Sequence, residues 1–196
     1  MSDRETIAVY DARAAEYDQI TKAEEPGTLL KAFVAALPKG ARVLDLGCGP
    51  GGASRVMGAR GFIVDGMDAS AEMVALAGQH PGVTAWQAEF SDLDADGIYD
   101  GVWANFSLLH APRDDMPSHL AAIKRALRPG GVFHVAVKEG DGSRRDGIGR
   151  LYTYYTETAL RGLLEQAGFT PREFRSGVDM GLDGVEAPWI SVLSHA

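Results

Sequence analysis

The residue pattern best suited to chemistry is a glycine-rich turn that follows an apolar segment. Val43–Gly51 reads VLDLGCGPG, an apolar run that includes an acid and then has glycine at alternate positions. An apolar run bounded by glycines predicts a buried parallel strand. The glycines allow positive φ in the turn that follows, and they leave bare backbone for a bound molecule to approach. The sequence therefore predicts a ligand site where this strand ends.

Two kinds of ligand fit the spacing of this turn. Gly47, Gly49 and Gly52 match G-x-G-x-x-G, and Asp68 lies 21 residues after Gly47, as the ribose-binding acid of a dinucleotide fold would. Asp45, however, lies two residues before the first glycine, where its charge would repel a pyrophosphate and attract an ammonium or a sulfonium. S-adenosylmethionine carries both cations and a ribose, so the sequence favours it as the cofactor. NAD(P) stays as the alternative.

Composition narrows the classes of partner. The 196 residues carry a formal net charge of −8, with a pI near 5.1. The clustered Lys and Arg that neutralise phosphates are missing, so we expect a small-molecule partner and no nucleic acid. Cys48 is the only cysteine, which leaves neither a disulfide nor a Cys-based metal site. We therefore expect no metal and a reducing, cytoplasmic compartment.

Length and hydropathy predict one α/β domain over 1–196, in which 1–40 form an N-terminal helical cap. No apolar stretch approaches the length that spans a membrane. Met1–Glu5 lacks the basic and apolar regions of a signal peptide. We accordingly expect neither export nor a membrane partner.

Strand and helix signals alternate along the chain. We predict cap helices over 5–18 and 27–37, separated by Pro26 and Gly27. The predicted elements that follow are a strand from Val43, a helix to about Ala59, a strand 62–67, a helix 71–77, and strands 83–87, 99–104 and 132–137. This alternation indicates a parallel sheet with helices on both faces.

The second half of the chain contains three further signals. Leu120, Ile123 and Leu127 predict a helix that Arg128–Gly131 stops. Leu160, Leu163, Leu164 and Ala167 mark a last helix, and 172–178 and 189–193 then follow without room for another, so they should form an antiparallel hairpin. Residues 138–150 are rich in glycine and charge and are predicted to be a mobile surface loop.

Together these motifs resemble the class I S-adenosylmethionine-dependent methyltransferases of the small-molecule type, which include the tellurite-resistance-like bacterial enzymes. The resemblance runs from about residue 7 to the C-terminus. It depends most on Val43–Gly51, with support from Gly66–Ser70, Tyr99–His110 and Leu127–Gly131. It implies a Rossmann-like, seven-stranded sheet in the order 3-2-1-4-5-7-6, with strand 7 antiparallel.

The resemblance also implies roles for individual residues. The implied cofactor-binding set is Asp45, Gly47, Cys48, Gly49 and Gly51 around the methionine end, Asp68 at the ribose hydroxyls, Ala69, Met73, Glu89 and Phe90 near the adenine, and Asn105 and Phe106 beside the methionine moiety and the reacting methyl. Glu89 departs from the aspartate that is more usual at its position.

Methyl transfer from a sulfonium is an in-line displacement, so a general base is needed only when the acceptor arrives protonated. His110 follows the fourth strand and titrates near neutrality, which makes it the candidate catalytic base. The alternative is that His110 only forms a hydrogen bond with the next turn.

Candidate acceptor-binding residues lie in three places. Tyr10 and Tyr17, seven residues apart, share one helical face and either close over the cofactor or pack the cap against the sheet. Ser107 follows the fourth strand. Arg144, Arg145 and Tyr152 belong to a cluster suited to an anionic acceptor, for which a solvated charged segment is the alternative.

The function predicted from these observations is S-adenosylmethionine-dependent methyl transfer to a small molecule, with S-adenosylhomocysteine as product. The alternatives are an NAD(P)-binding oxidoreductase, a transferase that uses the same fold to move an aminopropyl group, and a protein that binds the cofactor without turnover.

Overall fold

The structure, a computed structural model, describes residues 3–21 and 27–196. Its helices are α1 (Arg4–Thr21), α2 (Thr28–Ala35), α3 (Gly52–Gly58), α4 (Ala71–Ala77), α5 (Met116–Ala126) and α6 (Glu157–Gln166). Short 3₁₀ turns cover Phe90–Asp92, Leu108–His110 and Arg113–Asp115. Pro26, Met1 and Ser2, on which predictions were made above, lie outside the described residues.

Seven strands form one sheet. The strands of the chain are β1 (Arg42–Leu46), β2 (Ile63–Asp68), β3 (Val83–Gln87), β4 (Tyr99–Asn105), β5 (Leu127–Lys138), β6 (Ser143–Arg145), β7 (Leu151–Thr153), β8 (Thr170–Met180) and β9 (Glu186–His195). The sheet order is β3-β2-β1-β4-β5-β9-β8. β9 runs antiparallel to both β5 and β8. The predicted order and the predicted terminal hairpin are thus confirmed, since the sixth and seventh strands of the sheet are β8 and β9.

The segment 138–150 differs from its prediction as a mobile loop. It contains β6, which pairs antiparallel with β7 to form a separate two-stranded sheet. Arg150 is only 2% exposed, and its guanidinium lies 2.8 Å from the Asp146 carboxylate. Charges that suggest a solvated loop are instead paired: Arg150 with Asp146 inside the hairpin, and Arg145 with Asp3 and Glu5 at the start of α1.

The boundary between α5 and β5 also differs from its prediction. The helix ends at Ala126, because Leu127 has an extended backbone (ψ 143°) and pairs with Tyr99 across the β4–β5 ladder. Arg128–Gly131, expected to form a helix-stopping turn, lie within β5.

The core has two layers, one on each face of the sheet. One cluster packs Leu44 and Leu46 of β1 against α5 and α6, and the other packs Val43 against α2 and α3 through Phe33 and Val56. Alternation along β1 therefore directs Asp45 to the same side as Val43, toward α3. Among the described residues, no helix has the length and apolar character needed to span a bilayer.

Candidate cofactor site

The candidate site lies where the strand order reverses. β1 pairs with β2 on one side and with β4 on the other, so the carboxyl ends of all three strands open onto one edge of the sheet. Ligands of open α/β sheets bind at such a switch point. The residues at these ends are Leu46, Asp68 and Asn105.

The glycine turn packs tightly against the end of β4. Gly47 has a φ of +72°, and a Cβ added there would lie 2.3 Å from the Cβ of Ser107. Its N–H donates to the carbonyl of Met67, at 2.7 Å, while the Ser107 hydroxyl donates to the carbonyl of Leu46, at 2.6 Å. Any larger residue at 47 would push the turn away from β4.

Asp68 connects the glycine turn to the start of α4. One carboxylate oxygen accepts from the N–H of Gly49 and the other from the N–H of Ser70, both at 2.9 Å. Burial raises the pKa of this carboxyl, and the backbone hydrogen bonds partly offset the rise. Each oxygen keeps a further lone pair, so the carboxylate can accept from ligand hydroxyls.

Asp45 is directed away from solvent toward α3, as the strand alternation requires. Its carboxylate accepts from the Ser54 hydroxyl at 2.6 Å, and the side chain is buried. Burial raises the pKa of Asp45 to about 7, against the lowering effect of the Ser54 hydrogen bond and with a further increase from Asp68. The acid expected to be a free carboxylate is therefore about half protonated near neutral pH.

Two cavities adjoin at this edge. The cap cavity lies under α1 and contains about 760 Å³ of empty space open to solvent. Its lining includes Tyr10, Tyr17, Gly47, Gly49, Asp68, Ala69, Met73, Phe90, Asn105, Phe106, Ser107, His110 and His119. All of these except His119 are predicted site residues, whereas the other lining residues, Asp3, Thr6, Ile7, Ser70, Ala111 and Pro112, are not.

The α2 cavity lies on the other side of the glycine turn. Its lining includes Thr28, Leu30, Asp45, Cys48, Trp103, Asp179 and Trp189. Tyr17, Gly47, Gly49, Asn105 and Phe106 line both cavities. The two spaces are therefore halves of one cleft that meet at the glycine turn and the end of β4.

Phe106 has an unusual backbone conformation between the two cavities. It is the one non-glycine residue with positive φ (+56°) in the described chain. Its N–H donates to the carbonyl of Ala136, and its ring meets Trp189 edge to face, with 6.1 Å between ring centroids. Such left-handed residues cost free energy and concentrate at ligand sites.

His110 lines the cap cavity, but both ring nitrogens have partners. Nδ1 lies 2.6 Å from the carbonyl oxygen of Leu151, so it carries the proton and donates. Nε2 consequently accepts from the Tyr10 hydroxyl, at 2.8 Å. Burial lowers the pKa of His110 to about 4, which keeps the ring neutral at physiological pH. Action as a base would require a ligand to displace Tyr10.

The same tyrosine fastens α1 to the β6–β7 hairpin. Arg150 donates to the Tyr10 hydroxyl oxygen at 2.9 Å and pairs with Asp146. The Tyr10 and Tyr17 rings contact each other edge to face, with 5.6 Å between centroids, which confirms that they share one face of α1. These contacts hold the helix over the cap cavity.

Five predicted site residues do not line either cavity: Gly51, Glu89, Arg144, Arg145 and Tyr152. Gly51 is the left-handed N-cap of α3 (φ +83°). Glu89 forms a capping box with Asp92. Tyr152 is buried beside the His110 ring, at 4.8 Å between centroids.

The side chains of Arg144 and Arg145 both have partners within the protein. Arg145 forms ion pairs with Asp3, at 2.9 Å, and with Glu5, at 3.2 Å. Arg144 lies over the Tyr154 ring, with 3.7 Å from its guanidinium carbon to the ring centroid. The structure therefore does not bring these two side chains to the cleft.

Sequence reasoning missed Ser54, the buried partner of Asp45, and several residues that line the cleft. Ser54 follows Asp45 by nine positions, in the first turn of α3, and a polar residue facing a buried acid is the signal that identifies it. Asp179 and Trp189 reach the α2 cavity only through the long β8–β9 hairpin, so no local pattern predicts them.

Comparisons with known proteins are consistent with this geometry. Residues 16–173 match the family model described as "Methyltransferase domain". The chain is 35% identical over 136 residues to the malonyl-[acyl-carrier protein] O-methyltransferase of Enterobacter lignolyticus (strain SCF1), a match that covers 67% of this chain and 53% of that enzyme. It is 33% identical over 156 residues to the cypemycin N-terminal methyltransferase of Streptomyces sp, which covers 75% of this chain and 64% of that enzyme.

The chain thus spans about half to two thirds of the length of these two relatives. A solved structure of Burkholderia thailandensis 1,6-didemethyltoxoflavin-N1-methyltransferase, with bound 1,6-didemethyltoxoflavin and S-adenosylhomocysteine, superimposes with a TM-score of 0.75 at 27% identity. That match covers 100% of this chain and 90% of that chain. None of these relatives singles out the tellurite-resistance type. The chain belongs to the family of class I S-adenosylmethionine-dependent methyltransferases.

Proposed function

We propose that this protein binds S-adenosylmethionine in the cleft and transfers its methyl group to a small molecule. The observation that carries the proposal is the arrangement of Asp68, whose carboxylate is held by the N–H groups of Gly49 and Ser70 beside a glycine turn with no room for a side chain. A fixed acceptor for vicinal hydroxyls next to exposed backbone fits an adenosyl ligand.

The surrounding residues suit the two ends of that ligand. Met73 and Phe90 give the cap cavity an apolar wall next to Asp68, which fits an adenine ring. Asp45 lies across the glycine turn in the α2 cavity, which fits the ammonium of the methionine end. Gly51, Glu89 and Tyr152 then support the site from behind without touching the ligand.

The protein's part in the reaction is alignment and exclusion of water. When bound, the sulfonium supplies both the methyl group and the leaving thioether. Tyr10 and Tyr17 cover the cap cavity, and Phe106 with Trp189 forms an apolar wall of the α2 cavity. Holding two reactants in line within such a cleft lowers the entropic cost of reaction. His110 acts as a base only for an acceptor that displaces Tyr10.

The charged side chains that line the cleft indicate which charge the methyl acceptor carries. Among the described residues that line the two cavities, none is a lysine or an arginine. An anionic acceptor would lose its hydration there without gaining a lysine or arginine partner among these residues. We therefore favour an uncharged or cationic acceptor over the anionic one expected from the sequence. We also propose a reducing, cytoplasmic compartment, because Cys48 is a free, buried thiol and the chain has no second cysteine with which to form a disulfide.

Calorimetry with purified protein tests the cofactor. We expect S-adenosylmethionine and S-adenosylhomocysteine to bind in the micromolar range, and Asp68→Ala to weaken both by about 100-fold, because it removes a charged acceptor of two hydroxyls. Asp96→Ala, an exposed acid outside the cavities, is the matched control and should bind as the wild type does. Binding of NAD with no response to either adenosyl ligand would contradict the proposal.

Turnover needs a separate measurement. Wild-type protein is incubated with S-adenosylmethionine and a panel of uncharged and cationic acceptors, and mass spectrometry follows both S-adenosylhomocysteine and the methylated product. Tight cofactor retention without product from any acceptor would favour a binding protein of the same fold. Product only with decarboxylated cofactor would favour aminopropyl transfer.

A further inference from the structure

A buried histidine of β5 is not used by the site as described so far. His134 is 2% exposed and lies opposite Trp103 in the β4–β5 ladder. The two rings stack with 3.9 Å between centroids and 15° between planes. Phe33 of α2 contacts the same histidine ring, at 6.4 Å between centroids. The stack on Trp103 therefore fixes the plane of the imidazole, and Phe33 adds only an edge contact.

His134 is hydrogen-bonded to the residue that ends β4. Its Nε2 lies 3.1 Å from Oδ1 of Asn105. Because an amide oxygen only accepts, Nε2 carries the proton and donates. Burial lowers the pKa of His134 to about 3, so the ring is neutral and Nε2–H is its single N–H donor.

This hydrogen bond determines what Asn105 offers to a ligand. With Oδ1 turned toward His134, the NH₂ group lies on the opposite branch of the amide and is free of that contact, so it can donate to a ligand. Asn105 lines both cavities, at the point where they meet. The cleft therefore presents an amide donor at the end of β4.

The charge of the described lining residues indicates what this donor binds. S-adenosylmethionine ends in a carboxylate, and no lysine or arginine is found among the described residues that line either cavity. A carboxylate taken out of water without a cation has to be met by neutral N–H or O–H donors.

We propose that His134 is a positioning residue, which orients Asn105 so that its NH₂ group donates to the carboxylate at the methionine end of the cofactor. The inference rests on the proposed function. It predicts that His134 and Asn105 act on the cofactor as one unit, and only on its amino-acid end.

The test is a double-mutant cycle read with two probes. Calorimetry gives the Kd of S-adenosylhomocysteine and of 5′-methylthioadenosine, which lacks the amino-acid end, for the wild type, His134→Phe, Asn105→Ala and the double variant. We expect each single variant to weaken S-adenosylhomocysteine by about tenfold. The double variant should be no weaker than the worse single variant, and 5′-methylthioadenosine should bind all four proteins equally.

Phe33→Leu is the matched control, because it loosens the packing of the same imidazole but leaves its Nε2–H in place. It should lower the melting temperature while S-adenosylhomocysteine binds as in the wild type. A second measurement needs no variant: ¹⁵N NMR of the wild-type protein should identify the Nε2–H tautomer of His134.

Losses that add in the double variant would overturn the inference. So would equal losses on both probes in the single variants, or an Nδ1–H tautomer of His134. If the wild type binds neither probe, the proposed function fails and the inference fails with it. Weakened 5′-methylthioadenosine binding in Asn105→Ala alone would instead place the amide at the nucleoside end and reject this assignment.

Discussion

Asp45 illustrates how the position of a side chain on a strand changes its chemistry. Alternation along β1 directs it into the core beside α3, where Ser54 is its hydrogen-bond donor and burial raises its pKa to about 7. A carboxyl in that state can gain or lose a proton when a ligand binds. A bound ammonium would favour the ionised form, so ligand binding and ionisation of Asp45 should be coupled.

This coupling predicts a pH-dependent affinity. S-adenosylhomocysteine should bind about tenfold more tightly at pH 8 than at pH 6, because the ionised fraction of Asp45 rises through its pKa in that interval. Calorimetry in buffers of different ionisation enthalpy should detect proton release on binding near pH 6.5. In Asp45→Asn both effects should disappear.

Asp65→Asn is the control for that experiment. Asp65 is another buried acid of the neighbouring strand, but it pairs with Arg42, at 2.8 Å, away from the cavities. Its replacement should leave the pH dependence intact. A flat wild-type profile, or a slope that persists in Asp45→Asn, would show that Asp45 does not sense the ligand.

The β6–β7 hairpin contacts the start of the cap helix α1 through the ion pairs of one arginine. Arg145 of β6 pairs with Asp3 and Glu5 at the start of α1, while its neighbour Arg144 packs on Tyr154 within its own hairpin. Adjacent residues of one type therefore have different partners. The ion pair with Arg145 holds the pKa of the Asp3 carboxyl well below its usual range, so the pair is charged at all physiological pH values.

We predict that Arg145→Ala loosens the cap and Arg144→Ala does not. Hydrogen exchange measured by mass spectrometry should rise over residues 4–12 in Arg145→Ala, and S-adenosylhomocysteine should bind about two- to fivefold more weakly, the range typical of an exposed ion pair. The effect should shrink at high salt, which screens that pair in the wild type. Equal behaviour of the two variants would mean that the hairpin does not hold α1.

The sequence predicts an element when the residues of that element determine it, and fails when distant residues do. The turn after β1 is predictable, because Gly47, Gly49 and Gly51 all have positive φ, which glycine adopts without strain, so the residue types themselves carry the signal. The β6–β7 hairpin is not, because its charges are neutralised partly by Asp3, 142 positions from Arg145. Helical spacing predicts that Leu127 belongs to α5, yet pairing with Tyr99 makes it the first residue of β5.

At the scale of the whole molecule, the sequence predicts the fold more completely than it predicts the contacts of the site residues. The alternation of strands and helices indicates a parallel sheet, and the resemblance to the methyltransferases implies its strand order, which brings Asp68 and Asn105 to one edge. The partners of the site residues come from elsewhere: Tyr10 for His110, Ser54 for Asp45, and His134 for Asn105. Such pairings depend on side-chain direction in three dimensions, which spacing along the chain does not encode.

Buried titratable groups should also make the free energy of unfolding of the whole protein depend on pH. His110 and His134 have pKa values of about 4 and about 3 in the folded state, below the ordinary 6.5, so below pH 6.5 the unfolded chain binds protons that the folded chain does not. Their contribution to stability is lost as the pH falls from 6.5 toward 4. Asp45 acts in the opposite sense, since its pKa of about 7 lies above the ordinary 3.8 and the folded chain holds the extra proton.

Without Asp45, the loss of stability that the two histidines cause at low pH should no longer be opposed. Between pH 7.5 and pH 5 we expect the free energy of unfolding of Asp45→Asn to fall by about 2.5 kcal/mol more than that of the wild type, because nearly two pH units of proton uptake by the folded state are lost. Urea unfolding at the two pH values measures this difference. Parallel profiles would mean that Asp45 titrates at the same pH in the folded and unfolded chains, and that burial beside Ser54 does not hold its proton.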